Sequence, residues 1–246
     1  PEKLRIKCGI SGARMALLPY AIEVLDALVE SFTPFDIALS SYGIREGLLY
    51  EQMSKKLRKK DPLIEACAFA EMKDARAPGF GLQLFKFVLP LFPTADDEAA
   101  RLIKAACHLH DVSWRGHPDY RAEICFDNAT RANLGGLKHA ERVFLGLSLM
   151  HRYRNQRKGH KFENLFSLLS QEQTRMAEIL GKAMRLGAMM WVNKEETNAK
   201  LFWAPDAKAL QLVLEGDAVS LYGEVAEARL KSLARAMNAS FAFQAK

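Results

Sequence analysis

The spacing of apolar residues changes once along the 246-residue chain, and that change constrains the fold more than any other feature. From Asp61 to Met190 apolar residues recur every three or four positions, the period of a helix with one buried face. After Asn193 they alternate, the period of a strand. Asp61-Pro62 reads as a helix start, with a carboxylate for the first free N–H groups and a proline suited to the first turn. Phe80, Leu84, Phe87, Val88 and Leu91 form a second apolar face that ends near Pro90 and Pro93. Thr94 and Asp97 have capping-box spacing, with Asp in place of the usual Glu or Gln. They open a helix carrying Ala99, Leu102, Ile103, Ala106 and Leu109 on one face, which ends at His110-Asp111. A fourth helix is expected from Pro118 to about Leu134, stopped by Gly135-Gly136. A fifth runs from Lys138 to Tyr153, with Ala140, Val143, Phe144, Leu147 and Met150 inward. Ser170 and Gln173 cap a sixth that continues through Met190 and buries Met176, Ile179, Leu180, Ala183 and Leu186. Six helices with matched apolar faces specify an all-α domain over residues 61–192.

Residues 193–246 read as a small α/β piece. Ala199–Trp203 and Leu210–Leu214 alternate as strands, Gly223–Met237 is helical, and Ser240–Gln244 is a last strand. Residues 1–52 read as a different α/β unit. Leu4–Lys7 is the tail of a strand, Gly9–Gly12 a turn, Ala16–Phe32 a helix stopped by Pro34, and Phe35–Ser40 a short strand. A chain that opens without Met on the tail of a strand reads as part of a longer protein. Residues 50–60, with Lys55-Lys56-Leu57-Arg58-Lys59-Lys60, mark a hinge. The fold class is therefore mainly α, with α/β segments at either end.

Composition narrows the function. Hydrophobic residues make up 49% of the chain, too many for disorder to be the whole story. The longest apolar runs are broken well short of the roughly 18 residues of a membrane span. Cys8, Cys67, Cys107 and Cys125 are scattered, without a CxxC pair. A disulfide scaffold and a zinc-thiolate site are thereby disfavoured, and a reducing, cytoplasmic compartment is expected. The N-terminal residues show no signal-peptide pattern. A net charge of +6 favours polyanionic partners.

Three constellations carry possible chemistry. His108-x-His110-Asp111 closes an apolar helix, the local pattern of HD-domain phosphohydrolases, in which His and Asp converge on a metal that activates water. That pattern also needs an earlier His near Arg76–Phe80 and a later Asp, but no His precedes His108 and Ala188 stands where the acid belongs. His110, Asp111 and His117 are thus read as a degenerate remnant, with no metal expected. The second constellation is the run from His151 to Lys161, in which Arg152, Arg154, Arg157, Lys158 and Lys161 occur with no acid. Guanidinium forks and ammonium groups suit phosphate oxygens, and Lys55, Lys56 and Lys59 are candidates to extend the same track. Trp191 and Trp203 lie on core-like patterns, so packing is expected rather than base stacking. The third is Ser11–Arg14 with Tyr42–Gly47, glycine turns whose local role is geometric.

These last segments carry a family resemblance. Ile10–Arg14, Leu18–Ala21 and Ser41–Glu51, above all Gly43-Ile44-Arg45-Glu46-Gly47-Leu48-Leu49, resemble the end of the second actin-like domain of exopolyphosphatase/guanosine-pentaphosphate phosphatases. The likeness continues through Leu109–Asp111, His117–Arg121 and Met150–Arg154. The resemblance implies an HD-like helical domain after an actin-like one, in a cytoplasmic homodimer that hydrolyses terminal phosphates of inorganic polyphosphate with Mg²⁺. The family's phosphate loops and acidic base lie upstream of such a segment. No catalytic residue and no bound cofactor are therefore expected here, and the chain alone should be inactive. The expected role is to hold polyphosphate and form the dimer. Nucleic acid and membrane are not the expected partners. The alternatives are a regulatory module binding guanosine tetra- or pentaphosphate, and an active metal-dependent HD phosphohydrolase.

Overall fold

The computed structural model describes residues 2–37, 40, 42–155, 159, 161–190 and 198–246. The chain divides into two units, 1–53 and 54–246.

In the first unit the described residues form helices α1 (Glu2–Cys8), α2 (Gly12–Phe32) and α3 (Ile44–Gln52), and none of them is buried. The strand expected at Leu4–Lys7 is instead the body of α1, whose turn is held by Arg5 Nη2 to Glu2 Oε1 at 2.6 Å. A lone strand has no partner for its backbone groups, whereas a helical turn satisfies them locally. The second expected strand is also absent. Phe35, Asp36, Ile37 and Ser40 lie outside any strand, and Asp36 Oδ1 accepts the Ile37 N–H at 2.8 Å (Ala38 and Leu39 fall outside the described residues). Helix α2 begins where Ser11 Oγ accepts the Arg14 N–H, and it ends at Thr33 in the left-handed region, directly before Pro34.

The second unit opens with the short α4 (Lys55–Arg58) and then six longer helices: α5 (Pro62–Asp74), α6 (Phe80–Val88), α7 (Asp97–Leu109), α8 (Arg121–Arg131), α9 (His139–Tyr153) and α10 (Gln171–Gly187). The expected caps at Asp61 and at Ser170 with Gln173 are present. The α7 cap moves two positions from its expected place. Asp96, not Thr94, accepts the first free N–H, from Ala99 at 2.8 Å, because a carboxylate beside a helix N-terminus also gains from the dipole. Helix α8 starts three residues later than expected, since His117–Tyr120 closes a turn of its own with Tyr120 N–H on His117 O.

Helix α9 is the axis of the unit. Every residue from Val143 to Arg152 is buried, so the helix is covered on all sides rather than on one face. Two glycines permit this. A Cβ on Gly146 would lie 2.9 Å from the Phe126 ring of α8, and one on Gly181 of α10 would strike Ser148 O and His151 Cβ of α9. The neighbouring helices thus approach α9 at backbone distance.

The chain ends in strands β1 (Ala199–Ala204) and β2 (Ala209–Leu214), helix α11 (Glu224–Met237) and strand β3 (Ser240–Ala245). β1 pairs antiparallel with β2, with Leu201 opposite Leu212, and β3 joins β2 in parallel after the α11 crossover, with Leu212 opposite Phe243. Leu201, Leu210, Leu212, Leu230 and Leu233 join one core with the helices, and Trp203 is half-buried against it, as packing required; Trp191 lies outside the described residues. Among the described residues no helix is long and apolar enough to cross a membrane.

Candidate functional site: a carboxylate corner and an arginine cluster

The last turn of α7 turns both His108 and His110 inward. Glu71 stands eight residues after Leu63 and four after Cys67, on the buried face of α5, so the helix period itself delivers a carboxylate to the core. Its Oε2 meets His108 Nδ1 at 2.5 Å, and its Oε1 accepts the Gly81 N–H at 2.6 Å. One buried carboxylate therefore joins α5, α6 and α7. His110 Nδ1–H donates to Cys107 O at 2.8 Å, and Tyr153 Oη donates to His110 O at 3.1 Å. Burial, together with the positive charge of Arg152, pushes the His110 imidazole down to about 4, so it is neutral near pH 7.

Asp111 is buried beside it. Arg76 grips its carboxylate with Nη2 on Oδ1 at 2.6 Å, Nε on Oδ2 at 2.9 Å and the backbone N–H on Oδ2 at 3.2 Å. Burial opposes ionisation, but the Arg76 fork outweighs it and holds Asp111 below the ordinary carboxylate range. This geometry does not fit Mg²⁺ or another ion. Both Asp111 oxygens face a guanidinium, His110 Nδ1 faces a carbonyl, and among the described residues no group of three His, Cys, Asp or Glu side chains is arranged to hold a metal. His117 is exposed in the turn before α8, where its Nδ1 accepts the Asp119 N–H at 3.3 Å.

The basic run after α9 is not one surface. Arg152 is buried at 8% exposure. Its Nη2 lies 3.7 Å from Asp111 Oδ1, beyond hydrogen-bond reach, and its buried Nε has no hydrogen-bond partner among the described residues. Arg154 is exposed and donates through Nη2 to Asp119 O at 3.0 Å. Lys161 is paired with Asp127 at 3.1 Å and stands over the Phe162 ring. Arg157 and Lys158 lie outside the described residues. Lys55, Lys56 and Lys59 are exposed on and beside α4, a separate element.

The structure adds two cations that the run did not reveal, Arg185 of α10 and Arg229 of α11. Both are half-buried, and neither has an acidic side chain within 4.0 Å among the described residues. Arg185 Nη1 donates to Asn155 Oδ1 over a long 3.4 Å. Burial, then the like charges of Arg229 and Arg152, bring its guanidinium down to about 10. Arg152 of α9 and Arg229 of α11 thus lie near enough to act on Arg185 of α10, a cluster of like charge centred on Arg185. The basic run marked Arg152, but Arg185 and Arg229 each sit in an amphipathic helical pattern without such a signal, and only tertiary packing brings them near it.

Helices α10 and α11 run antiparallel from this cluster. At their far end Arg175 donates to Ala236 O at 3.3 Å and Met237 O at 2.9 Å. There a cleft of about 810 Å³ opens, lined by Arg175, Lys182, Arg235, Glu163, Glu178 and Phe166 among others. Lys182 is buried and paired with Glu178 at 2.6 Å. The cleft thus carries three cations, Arg175, Lys182 and Arg235, together with the carboxylates of Glu163 and Glu178.

A mainly helical domain closed by a small crossover sheet, with arginines gathered beside its central helix, is the class of protein these features define. The chain belongs to the exopolyphosphatase C-terminal family, whose model, described as "Exopolyphosphatase, C-terminal", matches residues 63–243. No curated protein matches the chain.

Proposed function

We propose that this chain is the polyphosphate-holding and dimer-forming region of an exopolyphosphatase-type hydrolase, with Arg152, Arg185 and Arg229 as the anchor for phosphate. The carrying observation is the cluster itself. Among the described residues, Arg185 and Arg229 have no carboxylate within 4.0 Å and Arg152 shares only Asp111, which is already held by Arg76, so a phosphate dianion supplies the missing charge. In this reading Arg154 and Lys161, with Arg157 and Lys158, which lie outside the described residues, are candidates to extend the positive field, and the cleft lined by Arg175, Lys182 and Arg235 gives a longer chain somewhere to continue. Hydrolysis of the terminal phosphate, in which Mg²⁺ would neutralise charge on the reacting phosphoryl group, belongs in this reading to the actin-like half of the parent enzyme.

The test is a titration with long-chain polyphosphate at two salt concentrations, comparing the wild type with the Arg185→Gln/Arg229→Gln double variant. Affinity should fall roughly tenfold or more in the variant, and the wild type should weaken as salt rises. Equal affinity in both proteins removes the cluster from the reading. Tighter binding of guanosine pentaphosphate than of polyphosphate in competition would favour the regulatory alternative.

A further inference from the structure

Asp111 is the carboxylate nearest to Arg152, and their separation of 3.7 Å is the feature that matters. A buried carboxylate takes hydrogen bonds from whatever donors surround it, because an unpaired one is costly. Here Arg76 meets that demand in full, with two side-chain bonds and one backbone bond on the two oxygens. Arg152 is therefore left in a loose ion pair with Asp111 at 3.7 Å, outside hydrogen-bond reach. Among the described residues, Arg152 is the cation left beside Asp111 once Arg76 is removed.

We propose that Arg76 is a positioning residue for the phosphate anchor: by holding Asp111, it keeps the Arg152 charge available to an anion. The inference rests on the reading of the Arg152–Arg185–Arg229 cluster as a phosphate site. Arg76 comes from the loop after α5 and the cluster from α9, α10 and α11, so it acts through Asp111 and not by contact. The charge arithmetic is specific. Arg76 and Asp111 cancel as a pair. Loss of Arg76 alone leaves Asp111 to cancel Arg152, and loss of both charges restores the balance of the wild type.

That arithmetic yields a four-protein test with inorganic polyphosphate as the probe: wild type, Arg76→Met, Asp111→Asn and the double variant. The fully folded chain is confirmed in each case by circular dichroism and thermal melting. Arg76→Met should bind about fivefold more weakly, with a shallower dependence on salt, and the double variant should return to within about twofold of the wild type. Asp111→Asn should bind as tightly as the wild type or more so. Arg115→Met removes another exposed charge that also stands over the Trp114 ring, and it should leave affinity within about twofold. Additive losses in the double variant, or no loss in Arg76→Met, would overturn the inference. Its failure is distinct from failure of the anchor, because the Arg185→Gln/Arg229→Gln variant reports on the anchor alone. A wild type that binds no polyphosphate overturns both.

Discussion

On the α5–α7 side of the helical unit, the inward polar groups meet partners: Glu71 bonds the His108 imidazole, Arg76 meets Asp111, and Arg101 Nε reaches Asp61 Oδ2 at 2.5 Å while its Nη2 bonds Gly136 O. On the α9–α11 side, the like charges of Arg152 and Arg229 act on Arg185, and among the described residues the one acid beside the three, Asp111 at 3.7 Å from Arg152, is already held by Arg76. Both regions lie in the same core and draw on the same residue types. The first arrangement holds helices together and needs nothing from outside the chain. The second works against the fold, and its persistence makes sense if an external anion completes it.

The sharpest way to break this contrast is to remove a charge from the paired side. Glu71→Ala leaves the His108 imidazole and the Gly81 N–H buried without their acceptor. It should cost about 3–5 kcal/mol in chemical denaturation, without altering polyphosphate affinity in the protein that remains folded. A cost below about 1 kcal/mol would mean that the pair is not a structural joint.

A slightly smaller effect is expected from pH. The folded pKa of His110 is about 4, against an ordinary value of 6.5, so between those limits the unfolded chain binds a proton that the folded chain refuses. Stability should therefore fall as pH drops from 6.5 to 4, by about 3 kcal/mol from this group. Asp111, held below its ordinary 3.8, adds its own loss only at lower pH. His110→Gln should flatten the upper window in a series of urea melts at stepped pH. An unchanged slope would assign the loss to another group.

The smallest effect has the opposite sign. Arg185→Gln removes a charge that burial and two like neighbours disfavour. Because the side chain is half solvated, screening reduces the gain to about 0.5–1 kcal/mol. The melting temperature should rise slightly at low salt and by less at high salt. A loss comparable to that of a paired arginine would erase the distinction between the two regions.

What the sequence showed and what it concealed divide along the range of the interactions. The six helices follow from apolar spacing, and the caps at Asp61 and Ser170 follow from residues within four positions, so both are legible locally. Asp96 was equally local, and the closer, charged cap displaced the one at Thr94. Leu4–Lys7 misled because strand character is completed by a neighbouring strand, whereas a helix closes on itself. The His110–Asp111 motif was visible, but its Arg76 clamp bridges 35 positions and leaves no periodic trace. Arg185 and Arg229 were hidden for the same reason. Within the basic run, charge alone did not distinguish Arg152, drawn into the core, from Arg154, left at the surface.

The glycine contacts on either side of α9 fix how a ligand would meet this site. With Gly146 against the Phe126 ring and Gly181 against the α9 backbone, the helix that carries Arg152 has no slack in which to slide or roll relative to the helix that carries Arg185. The separation of the two helices is thus settled when the chain folds, and only side-chain rotation is left for the moment of association. An anion that arrived would pay little to order the backbone, so discrimination among anions falls to how well their charge spacing suits what the two side chains can reach, and differences between them should emerge as differences in dwell time.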